Sequence, residues 1–282
     1  MKRVVIGCDT FHAYNFFLPF VCHLWRERIG YEPLLYLVGA REAWRQGHSA
    51  VVLDALDAGG WRTEWMDPVP GVLSETVAQC VRHHAGALAD LSPSDVLMTS
   101  DADLLPIRRN YYHQHDPSRH AIALYYSNVY GDVGHWTNLH MSFTVEALRE
   151  VMGLTVSDVR SSMLTAFQQG GLYELAKKED PTDRWFFDER YPSAKIKASR
   201  FYPASVLKIP REGRPPKDQL CRGANWPRSY DAADYIDCHS VRPGWTDMYW
   251  PQVRELLAQI MPDRLGWADA YRAAFWEVGP DR

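Results

Sequence analysis

Two uninterrupted apolar runs near the amino terminus, Val4-Val5-Ile6-Gly7 and Leu34-Leu35-Tyr36-Leu37-Val38, constrain this chain more than any other feature. Neither run alternates with polar residues, so Arg3–Gly7 and Leu34–Val38 each read as a buried strand. Between them, Phe17, Phe20, Val21, Leu24 and Trp25 recur at helical spacing across Phe16–Arg28. Strand, helix, strand in that order predicts a parallel crossover and a doubly wound α/β sheet. The pattern continues. Trp61–Met66 and Asp95–Thr99 read as strands around a helix over Gly71–Leu88, and Ala121–Tyr126 and Leu139–Thr144 read as further strands. Helices are expected over Val145–Met152, across most of Val156–Leu175, and at Met248–Met261 and Gly266–Glu277.

The 282 residues include 46% apolar and 23% charged side chains, which excludes a disordered, collagen-like or coiled-coil chain. The net charge of −4 argues against a protein that coats DNA without specificity. That total is unevenly spread. Lys195–Arg228 carries nine Lys or Arg against Glu212 and Asp218, a local charge of +7, and reads as an irregular basic loop region with apolar material to pack. Cys8, Cys22, Cys80, Cys221 and Cys238 are odd in number and show no CxxC spacing, which fits reduced thiols in a cytoplasmic protein. No stretch approaches the roughly 20 apolar residues that cross a bilayer, and the amino terminus reads as a strand, not a signal peptide.

The strongest chemical signal is Asp101-Ala102-Asp103 at the end of the apolar run Val96-Leu97-Met98. Open α/β sheets bind ligands beyond the carboxyl ends of their strands. Two carboxylates two residues apart at such an end can turn toward one divalent cation, and oxygen donors suit magnesium or manganese. The bland alternative is a pair of turn acids, with Asp103 capping the next segment of chain.

The run Val96-Leu97-Met98-Thr99-Ser100-Asp101-Ala102-Asp103-Leu104 resembles the metal motif of glycosyltransferases with the GT-A fold. Three other regions extend the likeness in the right order. Val4-Val5-Ile6-Gly7-Cys8-Asp9-Thr10, followed by Tyr14, resembles the donor-binding opening of the glycogenin-like branch. Trp185-Phe186-Phe187-Asp188-Glu189 is similar to its second acidic motif, and Asp237-Cys238-His239-Ser240-Val241-Arg242-Pro243-Gly244-Trp245 to its late His motif. There are departures: Arg242 stands where that branch has Lys, and Asp188-Glu189 replaces its Asp-Gln pair.

The resemblance implies a GT-A, Rossmann-like sheet and a single catalytic domain over residues 1–282. Residues 1–110 would form the nucleotide-sugar half, 111–245 the acceptor half with the basic region, and 246–282 the C-terminal helices. It implies donor binding by Asp9, Thr10, Tyr14, Asp101 and Arg242, and a manganese or magnesium ion on Asp101, Asp103 and His239. Asp188 and Glu189 would be catalytic. Separately, aromatic rings stack on sugar faces, so Trp226 and Trp245 are read as acceptor contacts, against a bland role in the core. The expected partners are a nucleotide-sugar donor, best read as a UDP-sugar, and a hydroxyl acceptor: a glycan, a small molecule or a hydroxymethylated base in DNA. A nucleotidyltransferase also uses paired carboxylates, but no Gly-rich phosphate loop follows the first strand. Bland alternatives stand beside several of these residues. Asp188 and Glu189 could form a solvated helix face paired with Arg184 and Arg190. His239 could be a partly buried ring bonded to backbone, and Arg242 a surface cation. His12, His83, His84, His113, His115, His120, His135 and His140 are read as structural.

Overall fold

The computed structural model describes residues 1–131, 134–156, 158–175, 182–211, 219–221 and 226–279; the side chains of Asp183 and Cys221 are outside that description. The main sheet has seven strands: β1 (Lys2–Cys8), β2 (Glu32–Val38), β3 (Arg62–Met66), β4 (Val96–Ser100), β6 (Ile122–Tyr125), β7 (Met141–Thr144) and β8 (Val206–Ile209). Their order is β3-β2-β1-β4-β7-β6-β8. β1 pairs in parallel with both β2 and β4, and β7 alone runs antiparallel to its two neighbours. The mostly parallel α/β sheet expected from the sequence is therefore the one observed.

Alternation along the strands explains the layering. Val4 and Ile6 of β1, with Leu35 and Leu37 of β2, enter one apolar cluster; Val5, Leu34, Tyr36 and Val38 enter the other. A strand buried on both faces needs helices on both faces. On the first side lie α1 (Leu18–His23), continued as a π-helical turn over Leu24–Ile29, then α2 (Gly47–Gly59). Gly30, at φ 86°, ends that run in the left-handed conformation that glycine adopts without cost. On the second side lie α3 (Ser74–Val81), α4 (Val145–Met152), α5 (Val159–Gln169) and α6 (Phe187–Ala198). The chain ends in α7 (Trp250–Ile260) and α8 (Leu265–Glu277). Rings of Phe16, Phe20, Trp245, Trp250, Tyr271 and Phe275 join these last helices to α1. Burying each such side chain contributes about 1.5–3 kcal/mol.

A second sheet of three short strands, β5 (Leu104–Pro106), β10 (Asp237–His239) and β9 (Gln219–Cys221), stands beyond the end of β4. No helix among the described residues is long and apolar enough to cross a membrane. Cys8, Cys22, Cys80 and Cys238 are buried.

One expectation needs correction, and one helix was not foreseen. The segment from Lys195 to Arg228 is not all irregular. Its first residues complete α6, Val206–Ile209 forms the edge strand β8, and Gln219–Cys221 joins the small sheet. β8 is too short, and its burial too uneven, to show in a Pro- and Lys-rich context. Residues 212–218 and 222–225, with Arg214, Lys217 and Arg222, lie outside the described residues. Helix α2 carries no clear helical signal in the sequence, because its apolar residues Val51, Val52 and Leu53 are consecutive and glycines bound it at both ends.

Candidate active site

The site lies where β1 and β4 end. Gly7 permits it: a Cβ there would stand 2.0 Å from the Ala78 carbonyl oxygen, so α3 packs directly on β1 and brings its last turn to the strand ends. A cavity of about 690 Å³ opens there, lined by Asp9, Tyr14, Arg82, Asp101, Asp103 and Asp188 among others. That volume suits a ligand of nucleotide-sugar size.

Asp103 and His239 meet through the small sheet. Asp103 immediately precedes β5, and the antiparallel register pairs Leu104 with His239. The Ser240 amide donates to the Asp103 carbonyl at 3.1 Å, locking the two segments. β10 is held from behind by Asp237, which is fully buried and accepts from Tyr112 Oη at 3.0 Å, Tyr126 Oη at 2.6 Å and Gln219 Nε2 at 2.9 Å. A buried carboxylate is tolerated only with such partners.

Ligand atoms of Asp101, Asp103 and His239 all lie within 4.8 Å of one another. His239 Nε2 stands 3.3 Å from Asp103 Oδ2, and Arg242 Nε lies 3.3 Å from the same oxygen. Burial works against a charged His239 ring, but the Asp103 carboxylate outweighs it and pushes the imidazole up to about 9. Asp103 is pulled down despite its burial, because His239 and Arg242 face it. A divalent cation held by these ligands would take the place of that ring–carboxylate contact. Two carboxylates and one imidazole form a donor set that fits manganese or magnesium.

Asp9 follows β1, is nearly buried, and accepts from the Phe11 amide at 3.0 Å; burial raises its pKa. Tyr14 lies under the Arg242 guanidinium, 4.1 Å from ring centre to Cζ. Arg242 is therefore fixed by a ring and a carboxylate, unlike a loose surface arginine.

Asp188 and Glu189 open the first turn of α6, and both are buried. They are not a solvated face paired with Arg184 and Arg190. Asp188 Oδ2 instead faces Arg82 Nη2 at 3.1 Å and also accepts a short bond from Asn138 Nδ2. Glu189 Oε1 accepts from Tyr130 Oη at 3.2 Å, and its Oε2 lies 3.6 Å from His135 Nε2. Burial pushes Asp188 up to about 7 although Arg82 opposes it, and burial together with the Asp188 charge does the same for Glu189.

Sequence reasoning missed Arg82 and Asn138. Arg82 is 3% exposed and bridges Asp101 Oδ1, at 2.5 Å, to Asp188. Burial works against its charge, but the two carboxylates outweigh this and raise its pKa. Its only sequence signal is a cation set among buried residues near the end of a predicted helix.

Three expected site residues are not brought to this cavity. Thr10 borders a separate cleft with His48 and Ser49. Trp245 packs against Phe16 and Phe275 and lines a separate side pocket. Trp226 is half-buried against Tyr230. Trp185, 48% exposed, reaches the cavity rim instead.

No protein-family model matches the chain, and no curated protein matches it. Solved structures do. The galactosyltransferase LgtC, in complex with donor and acceptor sugar analogues, is similar at 12% identity and a TM-score of 0.49, covering 92% of this chain and 96% of that one. An active-site mutant of LgtC is similar at 12% identity and 0.48, with 95% of each chain covered. The apo bifunctional glycosyltransferase WbbM is similar at 10% identity and 0.46, covering 96% of this chain and 51% of that one.

Proposed function

We propose that the chain is a metal-dependent glycosyltransferase that moves a sugar from a UDP-sugar to a hydroxyl acceptor. The observation that carries this reading is the convergence of Asp101, Asp103 and His239 at the end of β4, in one cavity with the buried acids Asp188 and Glu189. The donor half, residues 1–110, supplies Asp9, Tyr14, Arg82 and the two carboxylates; residues 111–245 supply the acid pair, His239 and Arg242.

Asp101, Asp103 and His239 would hold the cation, which neutralises charge on a departing diphosphate. Arg242, steadied by Tyr14, adds a fixed cation for the same oxygens. Asp9 and Tyr14 lie where a nucleoside would sit. Arg82 stays charged, so it holds Asp188 and Asp101 in place and offers hydrogen bonds to the sugar. The bond from the anomeric carbon to the diphosphate oxygen breaks, a bond to the acceptor oxygen forms, and the acceptor proton leaves to a nearby base. Asp188 and Glu189 are the carboxyl groups available for that proton, and their raised pKa values suit a base working near neutral pH.

Thermal unfolding with a panel of nucleotides and nucleotide sugars, with and without manganese, tests the reading. A manganese-dependent rise with UDP or a UDP-sugar is expected. Absence of a shift with every nucleoside diphosphate would refute it, and a shift with triphosphates alone would indicate a nucleotidyltransferase. Slow manganese-dependent hydrolysis of the nucleotide sugar separates an enzyme from a binding protein.

A further inference from the structure

The metal-ligand group is carried by two separate sheets. Asp101 and Asp103 follow β4 of the main sheet, and His239 ends β10 of the small one. The pairing of β5 with β10 begins at Leu104, so it sets Asp103 against His239 but does not reach Asp101. One buried side chain spans that gap. His140 is fully buried and immediately precedes β7. The backbone ladder between β4 and β7 stops at Met98 and Ser142, and beyond it side chains take over. Thr99 Oγ1 accepts from the Met141 amide at 2.8 Å and donates to the Asn138 carbonyl at 2.9 Å. His140 Nδ1 lies 3.1 Å from the Thr99 carbonyl oxygen; a carbonyl only accepts, so Nδ1 carries the proton and donates it.

On the other side of the ring, His140 Nε2 faces Asp237 Oδ2 at 3.5 Å and Tyr112 Oη at 3.3 Å. The rings of Trp25 and Tyr112 meet the imidazole edge-on, at 5.7 and 4.9 Å between centres, and fix its plane. Thr99 stands two residues before Asp101, and Asp237 stands two residues before His239. The ring therefore touches both strands at the same number of residues upstream of their metal ligands. An imidazole is rigid and carries a polar atom on each side, so it fixes the separation of the two strands at that level. The same short segment reaches the acid pair, because Asn138 Nδ2 donates to Asp188.

We infer that His140 is a positioning residue for the metal centre, setting the distance between Asp101 and His239 and so the fit of the site to a divalent cation. His140 does not line the cavity, so it acts through Thr99 and Asp237 and not by contact with metal or substrate. Groups that orient metal ligands from behind typically carry about 10–100-fold in metal affinity. The inference rests on the metal-dependent reading above, since it needs a cation on Asp101, Asp103 and His239.

Calorimetric titration of manganese into the parent protein and its variants tests it. His140→Phe keeps a flat ring and loses both polar contacts, so manganese should bind about tenfold more weakly. His140→Asn keeps a donor near the place of Nδ1 and His140→Gln one near the place of Nε2, so the affinity of each should fall between the parent and His140→Phe. Leu256→Ala, a fully buried change in α7, which carries no metal ligand, should lower the unfolding temperature without altering manganese affinity. Electron spin-echo spectroscopy reads the His239 nitrogen on bound manganese, and that signal should weaken in His140→Phe as it does in His239→Gln. Parent affinity in both His140→Asn and His140→Gln, an unchanged nitrogen signal in His140→Phe, or an equal loss of affinity in Leu256→Ala would overturn the positioning role alone. Failure of manganese to bind the parent protein would overturn it together with the metal-dependent reading beneath it.

Discussion

Replacing Arg82 with methionine probes the electrostatics of the site most directly. The guanidinium is 3% exposed and lies between Asp101, at 2.5 Å, and Asp188, at 3.1 Å. Removing one partner of a buried ion pair costs about 3–5 kcal/mol when the other stays charged. Asp188 need not stay charged. Its folded pKa, already about 7, rises further once Arg82 is gone. A raised folded pKa contributes stability that is fully present below the unfolded value, near 4, and is lost as pH rises through the folded value. In the parent protein that loss stops near pH 7; in Arg82→Met it continues, at about 1.4 kcal/mol per pH unit for one proton. The cost of the substitution should therefore be about 1–1.5 kcal/mol at pH 6, where lost hydrogen bonds dominate, and about 4 kcal/mol at pH 9. Urea unfolding of metal-free protein at pH 6, 7, 8 and 9 measures it. Adding Asp188→Asn to Arg82→Met should recover most of the pH 9 loss and flatten the profile. A cost that does not change with pH, or no recovery in the double variant, would refute the coupling.

Other outcomes follow from the same geometry. Asp103→Asn should abolish the manganese-dependent thermal shift with UDP while far-UV circular dichroism stays native; a retained shift would remove Asp103 from the metal set. His239→Gln should flatten the stability profile of the metal-free protein above pH 6.5, because stability from a His raised to about 9 is present below 6.5 and lost as pH passes 9; urea unfolding from pH 6 to 10 reads this. Gly7→Ala should destabilise by roughly 2 kcal/mol or more, since its Cβ would meet the Ala78 carbonyl rather than a movable side chain; thermal unfolding checks it. Asp237→Ala should cost about 3 kcal/mol by leaving buried hydroxyls of Tyr112 and Tyr126 without their acceptor, and should weaken manganese binding through β10, measured by calorimetry.

What the sequence alone determined is local. Runs such as Val4–Gly7 and Leu34–Val38 must lie between two apolar layers, so a mostly parallel sheet followed from them. Asp101 and Asp103 were legible because two residues of spacing at a strand end keep both carboxylates near one point. Tertiary structure decided what those carboxylates meet. Asp103 and His239 are 136 positions apart in the sequence and touch only because β5 and β10 pair in one register. Arg82 reaches Asp188 across 106 residues, where no periodicity links them. Packing likewise placed Trp245 in the core and Trp185 at the rim, although both are tryptophans beside a motif. Hydrophobic patterning is written along the chain at intervals of two to four residues. Charge pairing across a cavity depends on register and helix packing, which the whole fold sets at once.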